Sequence, residues 1–96
     1  MISQLRTYTI NDGMMDQWVK YFSEVLIPMQ EKQGIKIDGT WVNQDDNQFI
    51  WIRSFADQRD LEAKEAAFYE SSEWKAAVDH ARSHIAGTVV QPMERV

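Results

Sequence analysis

The chain has 96 residues, of which 44% are hydrophobic and 26% are charged, and its formal net charge is −5. This length supports one hydrophobic core, so we expect a single domain over residues 1–96. The negative charge disfavours binding to nucleic acid or to anionic lipid. The absence of cysteine excludes disulfides and thiolate metal sites. No signal-like or membrane-length apolar run is present, so we expect a cytoplasmic protein whose partners include neither nucleic acid nor membrane.

The first predicted element is a strand from Ile2 to Ile10. Its residues alternate, so that Leu5 and Thr7 share one face while Arg6 and Tyr8 share the other. Asn11-Asp12-Gly13 then provides turn chemistry.

An amphipathic helix is predicted from Met15 onward because apolar residues recur at helical spacing. Pro28 removes one helical hydrogen bond, so we expect a kink or a restart near Ile27, and Gly34 ends the helix. The apolar stripe of this helix comprises Met15, Trp18, Val19, Phe22, Leu26 and Met29.

Two strands follow, at residues 35–43 and 48–55, joined by a polar loop. The first has a predicted defect at Asp38-Gly39. The second has an aliphatic face, with Ile50 and Ile52, and an aromatic face that also carries Arg53. Because aliphatic faces usually pack under helices, we expect the aromatic face to be covered by something else. The aromatic face comprises Phe49, Trp51, Arg53 and Phe55.

The rest of the chain predicts two consecutive helices and a strand. Asp57 is a good cap for a helix from Gln58, a break is expected at Ser71-Ser72, and Ser72 caps a second helix. We expect Gly87 to end that helix, with a last strand at residues 88–91. The order β-α-β-β-α-β predicts an α+β, ferredoxin-like fold, a four-stranded antiparallel sheet with helices on one face.

Two segments carry a family resemblance. Leu5 to Ile10 (LRTYTI) followed by Gly13, and Phe68 to Lys75 (FYESSEWK), resemble the NIPSNAP family of dimeric α/β-barrel proteins. The resemblance implies a homodimer in which two sheets face each other across a barrel, and a family without an established general reaction. Small cofactor-independent monooxygenases share this fold. A second subunit would cover the aromatic face of the third strand.

On that basis we expect Arg6, Tyr8, Trp51 and Arg53 to line a cavity between the two sheets, and Trp51→Ala to weaken association more than folding. The arginines either pair with carboxylates such as Glu94 or Asp38, or they anchor a small anionic or aromatic ligand in a mostly apolar pocket. Trp18, Phe22 and Trp74 lie on helical stripes and are assigned to the core.

Other chemistry has little support. His80 and His84 lie four residues apart with Glu73 on the same side, which is a weak metal pattern better explained by packing. No nucleotide-binding, hydrolase or metalloprotease motif occurs, and we expect neither metal nor cofactor.

Three interpretations follow. The preferred one is a NIPSNAP-like homodimer of uncharacterised activity that binds a small molecule. The second is a cofactor-independent monooxygenase or isomerase of the same fold, with Arg6, Tyr8 and a histidine as anchoring or acid–base groups. The third is a plain dimerisation module. Cavity volume separates the third from the other two.

Overall fold

A computed structural model describes residues 1–96, and its strands and helices follow one another in the order that the sequence predicts. The sheet order is β2-β3-β1-β4, and every neighbouring pair of strands is antiparallel. This arrangement confirms the ferredoxin-like βαββαβ fold. The elements are β1 (Ile2–Ile10), α1 (Met15–Tyr21), a π-helical turn (Phe22–Leu26), α2 (Ile27–Glu31), β2 (Lys36–Val42), β3 (Gln48–Phe55), α3 (Gln58–Glu70), α4 (Ser72–Arg82) and β4 (Ile85–Glu94).

The first helical region runs from α1 through the π-helical turn into α2. The amide of Ile27 donates to the carbonyl of Phe22, five residues back, and α2 begins at Ile27 with Pro28 in its first turn. Pro28 has no amide hydrogen to continue the ordinary ladder, so the predicted restart is confirmed. The same segment keeps Phe22 and Leu26 buried.

The helices pack on the aromatic face of the sheet, so the expected assignment of faces is wrong. Trp18 contacts Tyr8 and Phe49 at ring-centroid distances of 5.8 and 5.9 Å, and Phe22 lies 5.0 Å from Trp51. The alternation itself is as predicted. The sides are exchanged because the apolar helix stripe is itself aromatic, and large rings bury more area against each other than against small aliphatic side chains.

Trp51 is therefore not exposed for a second sheet to cover. It is 2% exposed within the single chain, and it lies under Phe22. The expectation that Trp51→Ala acts mainly on association is wrong for this reason. Phe22 and Trp18 are core residues as predicted, each 1% exposed.

The opposite face of the sheet carries no helix. Its side chains lie in rows of cross-strand neighbours: the central row has one residue from each of the four strands, and the neighbouring row contains Leu5 and Ile52. Val89 is 65% exposed and Trp41 is 51% exposed. We call this surface the open face; its central row comprises Val89, Thr7, Ile50 and Trp41.

Two details of β2 explain the predicted defect. The pairing with β3 shifts register between Ile37 and Gly39, which leaves Asp38 as the extra residue of a bulge. A Cβ atom on Gly39 would lie 2.7 Å from Cη2 of Trp41, so the absence of a side chain lets the Trp41 ring cover this position.

The boundaries of α4 and β4 differ from the prediction. Ser71, not Ser72, caps α4, because its hydroxyl accepts the amide hydrogen of Trp74. The helix ends at Arg82 instead of Gly87, since β4 begins at Ile85 and pairs with β1 along nearly its full length. No helix of the chain is both long enough and apolar enough to cross a bilayer.

Candidate ligand-binding cavity

A cavity of about 270 Å³ lies between the helices and the sheet of the single chain. Every helical region and three of the strands contribute to its wall, which is mostly aromatic and aliphatic. Its apolar lining includes Tyr8, Trp18, Phe22, Trp51, Phe68 and Trp74, and its polar lining includes Arg6, Gln30, Arg53, Tyr69, Arg82 and Thr88.

The four residues predicted to line a cavity do line one together, but not between two sheets. Arg6 and Tyr8 come from β1, and Trp51 and Arg53 come from β3. Cross-strand pairing sets Arg6 directly opposite Trp51. The expected inter-sheet location is wrong because this face of the sheet lies beneath the helices of its own subunit.

Arg53 is a buried cation with a hydrogen-bond partner on each of its three nitrogens. Its side chain is 1% exposed, and its Nη2 donates to Glu65 Oε2 at 2.6 Å. Its Nε donates to Gln4 Oε1 at 2.8 Å, and its Nη1 donates to Gln30 Oε1 at 3.0 Å. The carboxylate is therefore Glu65, not the expected Glu94 or Asp38. Asp38 instead accepts a hydrogen bond from Ser54 and lies 3.8 Å from Lys36.

Arg6 has no carboxylate partner. Its Nε donates to the hydroxyl of Tyr8 at 3.2 Å, and its Nη1 donates to Gln4 Oε1 at 3.2 Å. Its guanidinium carbon lies 5.5 Å from the ring centroid of Trp51, a cation–π distance. Burial alone lowers the pKa of Arg6, but Tyr8, Tyr69 and Glu65 outweigh burial and raise it, so the group stays charged.

The cavity wall contains more hydrogen-bond donors than free acceptors. The hydroxyl of Tyr69 accepts from Arg53 Nη2 at 3.3 Å, as that of Tyr8 accepts from Arg6. Because a guanidinium can only donate, both phenol hydrogens are left for another acceptor. The indole nitrogens of Trp18 and Trp51 are also buried without a partner. The wall therefore suits an acceptor-rich ligand.

The histidines do not belong to this cavity. His84 is fully buried, its Nδ1 lies 2.9 Å from the carbonyl oxygen of His80, and its Nε2 lies 2.9 Å from the side-chain nitrogen of Gln17. A carbonyl only accepts, so Nδ1 carries the hydrogen and Nε2 accepts from Gln17. Glu73 pairs with Lys32 instead, and no three metal-ligating side chains come together in the chain.

Three polar residues of the Arg53 network were missing from the sequence-based site. Glu65 falls between Leu61 and Phe68 on the apolar stripe of α3, and a carboxylate on such a stripe is usually paired with a cation. That signal could have identified it. Gln4 shares the alternating face of Arg6 and Tyr8, while nothing local marks Gln30.

The fold and the cavity together define a class: a small ferredoxin-like α+β domain with the fold of the dimeric α/β barrels and an internal cavity between helices and sheet. The NIPSNAP family model matches residues 3–94. The chain therefore belongs to the NIPSNAP family. No match is found among curated proteins.

Solved structures share the fold at low sequence identity. An uncharacterised NIPSNAP domain protein from Burkholderia xenovorans superposes with a TM-score of 0.93 at 14% identity, with 100% of this chain and 95% of that chain covered. A NIPSNAP family protein from Agrobacterium tumefaciens gives 0.91 at 21% identity, with 99% and 92% covered. A structure described as an antibiotic biosynthesis monooxygenase gives 0.75 at 17% identity, with 100% and 99% covered.

Proposed function

We propose that this protein binds a small organic anion with an apolar or aromatic body in the cavity between its helices and its sheet. The observation that carries the proposal is the guanidinium of Arg6, which lines the cavity without a carboxylate partner. A partly buried charge without a salt-bridge partner is costly, and a carboxylate or a similar oxyanion is the ligand that a guanidinium binds best.

The charges around the cavity support an anion in preference to a cation. Arg53 is neutralised by Glu65, whereas Arg6 and Arg82 line the same cavity and form no salt bridge. The cavity is thus positive in a chain whose net charge is −5. An anion entering the cavity meets the partly buried guanidinium of Arg6 and, where the cavity opens to solvent, the exposed guanidinium of Arg82.

The size of the cavity limits the ligand. A cavity of about 150 Å³ holds a molecule the size of benzene, so the 270 Å³ here suits one ring with substituents or two fused rings. The volume also argues against the plain dimerisation module, because a protein that only assembles has no need for an open interior.

The test is a titration followed by tryptophan fluorescence, since Trp18, Trp51 and Trp74 line the cavity. The probes are benzoate and phenylacetate, each compared with its neutral amide. We expect at least one acid to bind about tenfold or more tightly than its amide, because charge-assisted hydrogen bonds contribute ~1.5–3 kcal/mol.

The matched variants are Arg6→Gln and Arg59→Gln. Each removes one positive charge, but Arg59 is exposed on α3 and lies outside the cavity. We expect Arg6→Gln to lose the preference for the acid and Arg59→Gln to keep it. Equal binding of acids and amides, equal behaviour of the two variants, or no binding of any acid at millimolar concentration would contradict the proposal.

We also propose that the protein forms a homodimer through the open face. Its central row ends in Val89 and Trp41, both largely exposed, and an exposed face on which apolar side chains predominate is typical of an interface. A stable dimer needs about 1,200 Å² or more of buried surface. Wild-type protein should sediment as a dimer at micromolar concentration, and Ile50→Asp should be monomeric.

Val25→Asp is the control for the dimer, since Val25 is exposed on the helical side of the molecule. It should leave the sedimentation coefficient unchanged. A wild-type monomer, or a dimer that Ile50→Asp does not dissociate, would exclude the open face as the interface.

A cofactor-independent isomerase or oxygenase is the second candidate. The observation that favours it is the hydrogen of the Tyr8 hydroxyl, which has no acceptor in the protein and lies beside a cation. Such a group can give a hydrogen bond, and then a proton, to a bound enolate. His84 takes no part, because both of its ring nitrogens are engaged.

A further inference from the structure

We infer that the hydroxyl of Tyr8 recognises a second oxygen of the ligand, adjacent to the carboxylate that Arg6 binds. The preferred ligands are then 2-oxo acids and similar carboxylates with an oxygen acceptor next to the anionic group. This inference rests on the proposed function, and it assigns Tyr8 as a specificity-determining residue of the same cavity.

The direction of the hydrogen bond between Arg6 and Tyr8 is the first step of the argument. Arg6 Nε lies 3.2 Å from the hydroxyl oxygen of Tyr8, and a guanidinium nitrogen can only donate. Tyr8 is therefore the acceptor, and its own hydrogen points away from Arg6. Tyr8 is 9% exposed and donates to no protein atom. The hydrogen is a buried donor that a ligand can satisfy.

The second step is the spacing of the free donors. Arg6 has five N–H groups and uses two of them, one on Tyr8 and one on Gln4. Its Nη2 makes no hydrogen bond within the protein. The remaining donors of Arg6 and the hydrogen of Tyr8 belong to two groups held 3.2 Å apart. They match two neighbouring oxygens on one molecule better than they match a single isolated oxygen.

The third step is the shortage of acceptors. Gln4 Oε1 already accepts from both Arg6 and Arg53, and Gln30 Oε1 and Glu65 accept from Arg53. An ammonium group beside the ligand carboxylate would therefore meet donors and a positive charge. The hydroxyl oxygens of Tyr8 and Tyr69 each already accept from an arginine, and among the remaining lining side chains only Thr88, at the sheet edge, offers an oxygen. The cavity should reject 2-amino acids and accept 2-oxo acids of the same size.

Three molecules of one skeleton test this selectivity: phenylglyoxylate, phenylacetate and phenylglycine. They carry a carbonyl oxygen, a methylene and an ammonium group, respectively, next to the carboxylate. Their affinities for the full-length protein can be measured by isothermal titration calorimetry. A neutral hydrogen bond corresponds to roughly a threefold to tenfold change in affinity. We expect phenylglyoxylate to bind about tenfold more tightly than phenylacetate, with phenylglycine the weakest.

Tyr8→Phe removes only the hydroxyl, and Tyr21→Phe is its control because Tyr21 lies outside the cavity. In Tyr8→Phe the advantage of phenylglyoxylate over phenylacetate should disappear, while phenylacetate changes less than threefold. Tyr21→Phe should retain the wild-type order.

The outcomes separate the two proposals. The role of Tyr8 is refuted if phenylglyoxylate and phenylacetate bind wild-type protein equally, or if phenylglyoxylate still binds more tightly than phenylacetate in Tyr8→Phe. The proposed function stands in either case, provided that binding of the acids depends on Arg6. If neither acid binds, both proposals fail. Should Tyr8→Phe not fold, the order of the three ligands on wild-type protein decides the inference alone.

Discussion

Replacing Glu65 with glutamine removes the only counter-charge of a buried guanidinium, and the structure sets the size of the effect. Arg53 is 1% exposed, and its Nη2 lies 2.6 Å from Glu65 Oε2. Removing one partner of a buried ion pair costs ~3–5 kcal/mol. The Glu65 side chain is 23% exposed, and glutamine can still accept one hydrogen bond, so we expect a loss of about 2.5 kcal/mol.

That loss is a large share of the ~5–15 kcal/mol that holds a domain of this kind together. For a chain of this length each kcal/mol lowers Tm by about 4–8 °C, so Glu65→Gln should melt roughly 10–20 °C lower than wild type. Circular dichroism with heat and with urea measures both quantities. The exposed pair of Lys32 and Glu73 provides the control, and Glu73→Gln should cost ~0–1 kcal/mol.

The double variant Arg53→Met/Glu65→Leu removes the charge together with its partner. It should recover part of the lost stability, because no uncompensated charge then stays buried. The reasoning is refuted if Glu65→Gln is as stable as Glu73→Gln, since the Arg53 guanidinium would then find its compensation elsewhere.

Three further variants test the packing of the core and two hydrogen bonds at the start of α3. Trp51→Ala should cost ~3–5 kcal/mol of folding stability, because the side chain is buried within the single chain. The protein that remains folded should keep the wild-type dimerisation constant within threefold. A selective loss of association would contradict the placement of Trp51 under the helices. Asp57→Ala removes the side chain that accepts the amide hydrogen of Asp60 and should cost ~1 kcal/mol in urea unfolding. The backbone amide of Ala56 donates to the Asp60 carboxylate and lowers the pKa of that carboxyl below its ordinary 3.8. The ionised carboxylate therefore adds folding stability above pH 4, and this contribution is lost as the pH falls through the folded-state pKa. Asp60→Asn should flatten the acid limb of the curve of unfolding free energy against pH.

The sequence predicted β1 and β3 well because their alternating pattern is local, whereas β4 runs beyond its predicted range at both ends. Alternation placed Arg6 with Tyr8 and Trp51 with Arg53, and β1 and β3 have the predicted boundaries. Pro28 likewise marked the restart of the helix, since a missing amide hydrogen acts within one turn.

The side of the sheet that the helices cover could not be read from the same pattern. Both faces of β3 are apolar, and the general tendency of helices to pack on aliphatic faces assigned them to the side opposite Arg53. Its burial depends on Gln4, Gln30 and Glu65, which come from three other elements and meet only in the folded chain. The location of the cavity followed from that one assignment, so Arg6, Tyr8, Trp51 and Arg53 were correctly predicted to line a cavity, whereas its position in the fold was not predicted.

A crystal structure of the protein grown with saturating benzoate tests the central claim most directly. The account predicts the carboxylate within hydrogen-bond distance of Arg6, with the ring among Trp18, Phe22 and Trp51 beneath the helices of a single subunit. Benzoate bound on the open face, or an empty cavity in which Arg6 pairs with a carboxylate of a second copy of the chain, would contradict it.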